Sequence, residues 1–162
     1  MKVLQLLMHE NSGAGRAAIR LHNQLRKDCR DSVVMVSQKS SDISSVLVPN
    51  KWSKLCKQIQ LLIINKFISQ LGLKKDDTFS INFTPSLIIK DIKKTNPSLV
   101  NLHWIGWEFL QVEDLKSFDV PFVWTLHDMW AFTGGFHYSG ECNLYTKSCG
   151  TCPQLHSNND WD

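Results

Sequence analysis

The stretch that decides the fold is Lys2-Val3-Leu4-Gln5-Leu6-Leu7-Met8, followed by Asn11-Ser12-Gly13-Ala14-Gly15 and then by Arg16 to Lys27. The first seven residues are apolar with little alternation, as strands covered on both faces are. The glycine-rich turn comes next. Beyond it, Ala17, Ala18, Leu21 and Leu25 recur at helical spacing and put one apolar stripe on a helix. Ser32 to Ser37 is a second short run rich in β-branched residues. Strand, glycine turn, helix and strand make the βαβ unit of a parallel sheet.

Downstream the alternation continues. Lys51 to Lys75 is helical in pattern, with Trp52, Leu55, Cys56, Ile59, Leu62, Ile63 and Phe67 at three- and four-residue steps and lysines between them. Thr84-Pro85 suits a helix start, Thr as cap and Pro in the first turn, and that helix is expected to run to about Lys94. Leu99 to Leu102 is a third strand, Glu108 to Lys116 a short helix, and Pro121 to Leu126 a fourth strand ending at His127-Asp128. Met129 to Asp162 shows no clear period. The expected fold is α/β, a doubly wound parallel Rossmann-like sheet, which collects ligands at the carboxyl ends of its strands. Gly13 and Gly15, His103 and Trp104, and His127 and Asp128 all fall at such ends.

The chain has 162 residues, enough for one domain with a real core, and its 43% hydrophobic and 20% charged residues are those of an ordinary globular protein. A formal charge of +3, with the basic residues spread along the chain, argues against nucleic acid. No apolar run approaches the roughly 20 residues of a spanning helix. The N-terminal run meets His9 and Glu10 without a small-residue cleavage site, so no signal peptide is expected. Five cysteines, three of them crowded near the end, suit a reducing cytosol with a local thiol site.

Gly13-Ala14-Gly15-Arg16-Ala17-Ala18 matches the G-x-G-x-x-A dinucleotide fingerprint in the right place between strand and helix. Backbone N–H groups of Gly13, Ala14 and Gly15 at a helix start attract a phosphate, and Arg16 can add a charged contact. The plainer reading is a tight strand-to-helix turn. A nicotinamide enzyme needs an acid at the end of the second strand, where this chain has Ser37-Gln38-Lys39. An NAD(P)-dependent oxidoreductase is therefore disfavoured.

Trp124-Thr125-Leu126-His127-Asp128-Met129-Trp130-Ala131-Phe132-Thr133-Gly134-Gly135, then His137-Tyr138-Ser139-Gly140 and Cys149-Gly150-Thr151-Cys152-Pro153-Gln154-Leu155, resembles a bacterial branch of the family-4 retaining glycosyltransferases, the exopolysaccharide and colanic-acid type. The glycine loop with Arg20-Leu21-His22, and Val100-Asn101-Leu102-His103-Trp104 with Glu113-Asp114-Leu115, agree in order and spacing. The resemblance implies the N-terminal, acceptor-side half of a GT-B fold over residues 1–162, with the donor domain and its paired glutamates lying outside this chain. That makes the expected chain a truncated one, incomplete and inactive alone. It implies Gly13, Ala14 and Gly15 at the donor diphosphate, next to the Arg16 contact read from the glycine loop, His127 facing the donor sugar, and Asp128 fixing the turn beside it. It also implies a UDP- or GDP-sugar donor, a sugar or lipid-linked sugar acceptor, no cofactor for catalysis, and a cytoplasmic setting at the inner face of the plasma membrane. A non-catalytic nucleotide- or sugar-binding module is the alternative.

His137, Cys142, Cys149 and Cys152 could offer four ligands to a structural zinc, the Cys-x-x-Cys being a common half-site. Relatives are expected to carry a further cysteine where Phe136 stands here, and thiols packed in a loop are the plainer reading. Trp104, Trp107 and Trp130, with His103, are candidates for holding sugar rings, or simply large core residues. The Lys51–Lys75 helix either covers the sheet with a solvated lysine face or lies on anionic lipid as a peripheral membrane contact. Cys29 and Cys56 are expected to be buried on helices, and His22 to be structural or exposed.

Overall fold

A computed structural model describes residues 1–70, 79, 80, 82 and 84–155, and of 67–70 the backbone only. The chain divides into two compact units, Met1–Lys74 with Asn82–His127, and Lys75–Ile81 with Asp128–Asp162.

The first unit holds a five-stranded sheet: β1 (Lys2–His9), β2 (Asp31–Gln38), β3 (Val46–Leu47), β4 (Leu99–Leu102) and β5 (Phe122–Trp124). Its order is β3-β2-β1-β4-β5 and every pair is parallel. The helices are α1 (Gly13–Lys27), α2 (Lys51–Gln70) and α3 (Ile89–Lys94). This is the expected Rossmann-like α/β arrangement, and the strand order reverses between β1 and β4. The two-residue β3 was not foreseen, being too short to show a period. The helix expected at Glu108–Lys116 is a 3-10 turn at Val112–Ser117, and α3 starts at Ile89 without a side-chain cap. Thr84, expected to cap it, is bonded to Glu108 instead.

The pairing Gln5↔Val34 and Leu7↔Val36 puts alternate residues of β1 on α1's side of the sheet. There Leu7, Ala18, Val34, Val36 and Val46 form a buried cluster, flanked by Ile19 and Val48. Such burial is worth about 1.5–3 kcal/mol per large side chain. Leu4, Leu6, Val100 and Leu102 face the other way, also buried.

The buried stripe of α1 is only in part the one expected: Ala18 is buried and Leu25 half-buried. Gly15, Ala18 and His22 turn inward, while Ala17 and Leu21 are exposed. The cause is close approach. A Cβ at Gly15 would overlap the carbonyl oxygens of His9 and Glu10, so that position must face the sheet. Positions three, four and seven residues on follow it inward. His22 is thus fully buried, its ring nitrogens 2.9 Å from Ser32 Oγ and 2.8 Å from Ser45 Oγ. Burial first, and the Arg26 charge second, push its pKa below the ordinary value. Cys29, past the end of α1, and Cys56 on α2 are both exposed rather than buried.

The described part of the second unit consists of loops and two 3-10 turns, Trp130–Phe132 and Leu144–Thr146. Phe79 and Phe136 make an antiparallel bridge, their rings 4.7 Å apart, and Ser80 N–H donates to Gly135 O at 2.9 Å. Gly135 adopts φ 144°, where a Cβ would strike the Phe79 ring. No helix among the described residues is long and apolar enough to cross a membrane.

Candidate functional site

Ser12 caps α1, its Oγ accepting from Gly15 N–H at 3.0 Å. Gly15 therefore serves the turn twice, by the space it leaves and by the hydrogen bond it gives. The N–H groups of Gly13 and Ala14 have no partner among the described residues, and Arg16 is exposed beside them. Of the four residues expected at a phosphate, Gly13 and Ala14 present the donors, Arg16 the charge, and Gly15 the geometry.

Across the point where strand order reverses, Met8 N–H donates to Trp104 O at 2.9 Å. His103 lies at the end of β4 and His127 three residues past β5. Their rings stack at 5.2 Å, with His103 Nδ1 2.9 Å from His127 Nε2. His103 Nε2 is 2.8 Å from Gln5 Oε1, which also accepts from Asn101 Nδ2 at 2.9 Å. Thr125 Oγ1 donates to Asn101 Oδ1 at 3.0 Å, and Trp124 Nε1 to His103 O at 3.1 Å.

The tautomers follow from these partners. Gln5 Oε1 can only accept, so His103 Nε2 carries a proton. Burial, then the His127 charge, push His103 down to about 4, so at neutral pH its Nδ1 is a bare acceptor. His127 must then donate through Nε2, which in its uncharged form puts the lone pair on Nδ1. With 3% of its surface exposed, His103 lies inside the sheet; the contact with sugar expected of it would pass through His127.

A second feature borders the same edge. Trp107 and Glu108 have φ of 52° and 58°, left-handed values that cost about 1–3 kcal/mol each in non-glycine residues. They are held by Lys57 Nζ, which donates to the carbonyls of both, and by Glu108 N–H donating to Asn82 Oδ1 at 2.6 Å. Burial, partly opposed by the Glu108 charge, lowers Lys57 to about 8. The strained turn sets Trp107 edge-on to both Trp104, at 5.0 Å, and His9, at 5.8 Å. Glu10, the last buried residue before the glycine turn, accepts from the N–H and hydroxyl groups of Ser40 and Ser41. Burial alone would raise its pKa; those hydrogen bonds outweigh it and hold the carboxyl below its usual range. An acid thus does sit near the tip of β2, but it is committed to the backbone rather than presented to a ribose.

In the second unit, Asp128 Oδ1 accepts from Trp130 N–H at 3.0 Å and Oδ2 from His137 Nδ1 at 2.8 Å. That makes Asp128 the fastening of its loop. Trp130 Nε1 donates to Ser80 O at 2.9 Å, which fixes the indole. Cys142, Cys149 and Cys152 line one small cavity, of which His137 is not a wall. Among the described residues no three His, Cys, Asp or Glu side chains converge as a metal would require. The four residues put forward for zinc are not brought together here.

Gln5, Asn101, His9 and Lys57 were not singled out in the sequence. The signal for the first two was present: each is a carboxamide inside an otherwise apolar strand, and the register pairs them.

A protein of Escherichia coli named as a putative colanic acid biosynthesis glycosyl transferase, WcaC, is 27% identical over 74 residues, which cover 40% of this chain and 18% of that protein. The chain thus matches less than a fifth of that relative's length. The similarity ties it to a glycosyltransferase. No family model matches the sequence, and no solved structure matches the fold at a significant level.

Proposed function

We propose that this chain is the acceptor-side, Rossmann-like domain of a retaining glycosyltransferase that uses a UDP- or GDP-sugar in surface-polysaccharide assembly. One observation carries the reading: two donors at the start of α1 and an imidazole with a fixed tautomer stand at the same edge of the sheet. β1 and β5, the strands that lead to these groups, are separated only by β4 and so run about 10 Å apart. A diphosphate and one sugar ring bridge such a span.

In this reading the N–H groups of Gly13 and Ala14 bind the diphosphate, with Arg16 adding charge. His127 faces the sugar and orients the ring, while Trp104 and Trp107 offer aromatic faces to the acceptor. Bond breaking places negative charge on the leaving phosphate, and prepaid donors at that point lower the barrier without moving. The matched portion of the relative, small as it is, supports the transferase class.

The test is a titration of the isotopically labelled chain with UDP, GDP, their hexoses and NAD. The Gly13 and Ala14 amides and the His127 imidazole should respond together to one sugar nucleotide. A response to NAD alone, or shifts confined to residues away from this edge, would defeat the proposal.

A further inference from the structure

Helix α2 is built inside out. Its inward face is polar: Ser53 Oγ donates to Asp91 Oδ2 at 2.9 Å, Lys57 to the Trp107 carbonyl at 3.2 Å, and Gln60 to Thr84 Oγ1. Ile64 is the buried apolar exception. The outward face carries Trp52 at 76% exposure, Leu62 at 70% and Ile63 at 65%, with Leu55 and Ile59 half open between them. The stripe expected to cover the sheet therefore points to solvent, and the lysine expected in solvent, Lys57, is half-buried. Five large apolar side chains on one helix face form a patch that water penalises until something covers it.

The charges around the patch state what the cover is. The helix contains four lysines and no Asp or Glu. With Lys57 turned inward, Lys51, Lys54 and Lys66 remain exposed beside or within the stripe. A second copy of this face would set three cations against three. An anionic bilayer instead accepts the apolar chains among its acyl tails and the ammonium groups among its head groups. We infer that the outer face of α2 is a peripheral binding surface for anionic phospholipid. This stands independently of the transferase reading, although a membrane-surface position suits a lipid-linked acceptor.

The experiment is vesicle flotation of the full chain, using phosphatidylcholine mixed with phosphatidylglycerol against phosphatidylcholine alone. Binding should require the anionic lipid and weaken with added salt. Each lysine near the surface contributes about fivefold in affinity, so Lys51→Glu with Lys54→Glu should weaken binding by more than about tenfold. Leu62→Glu with Ile63→Glu should abolish it. Both positions are exposed, so circular dichroism and the urea midpoint should stay as in the parent and separate lost binding from lost folding. The Trp52→Phe chain should lack a blue shift that the parent shows on vesicles. No flotation with the anionic vesicles, equal flotation with both lipids, or a dimer by light scattering that Leu62→Glu dissociates would each overturn the inference. Nucleotide titration is read separately, so the two proposals fail independently.

Discussion

Replacing Gln5 by leucine probes the network that sets the His127 tautomer. The side chain is fully buried, and its Oε1 accepts from His103 Nε2 and Asn101 Nδ2. Leucine is close in size, so the change removes an acceptor without opening a large cavity. Two buried donors are stranded at about 1–3 kcal/mol each. Two offsets apply. Gln5 Nε2 has no partner among the described residues, so its desolvation cost disappears with it. Asn101 Nδ2 lies 3.2 Å from His103 Nε2 and can donate there if that nitrogen loses its proton. The net cost should be about 2 kcal/mol in urea unfolding. The ring then reverses: His103 holds its proton on Nδ1, donates to His127 Nε2, and pushes the His127 proton to Nδ1. Nitrogen-15 shifts of the two imidazoles read this directly, because protonated and bare ring nitrogens resonate far apart. A Gln5→Leu chain that loses stability but keeps both parent tautomers would refute the reasoning, since Gln5 would then be only a packing residue.

Three further outcomes follow from the geometry. Gly15→Ala should cost more than about 3 kcal/mol or prevent folding, as its Cβ meets backbone carbonyls, whereas Gly13→Ala, with nothing within 4 Å, should stay within about 1 kcal/mol by the same urea assay. His103 has a folded pKa of about 4 against 6.5 unfolded, so the unfolded chain takes up the proton first as pH falls. Stability should drop from about pH 6.5 downward and level below about pH 4, by roughly 3 kcal/mol from this group, and a flat urea midpoint between pH 7 and 4.5 would contradict it. Asp128→Ala should remove the acceptor that holds the Trp130 amide and the His137 Nδ1, raising hydrogen exchange at Trp130 at least tenfold for a loss of about 1.4 kcal/mol in local opening; unchanged protection would show that the loop is held elsewhere.

The sequence by itself determined the layer architecture. Strand and helix periods, the glycine turn and the β-branched runs are local signals, and each reflects forces acting within a few residues. That is why β1, α1, β2, β4 and β5 stand where the pattern put them, within a few residues at their ends. It also marked His127 and the glycine loop, because strand ends are where open parallel sheets gather ligands. Which side of a helix faces inward is a different kind of fact. For α1 it depends on Gly15 fitting under the carbonyls of His9 and Glu10. For α2 it depends on Asp91, Thr84 and the Trp107–Glu108 turn, distant in sequence, offering polar partners to Ser53, Gln60 and Lys57. Apolar spacing alone could not say whether the stripe of α2 met the sheet or the solvent. The union of Gln5, Asn101, His103 and His127 likewise exists only once three strands lie side by side in register, since hydrogen bonds of that kind are set by the sheet and not by the spacing along the chain.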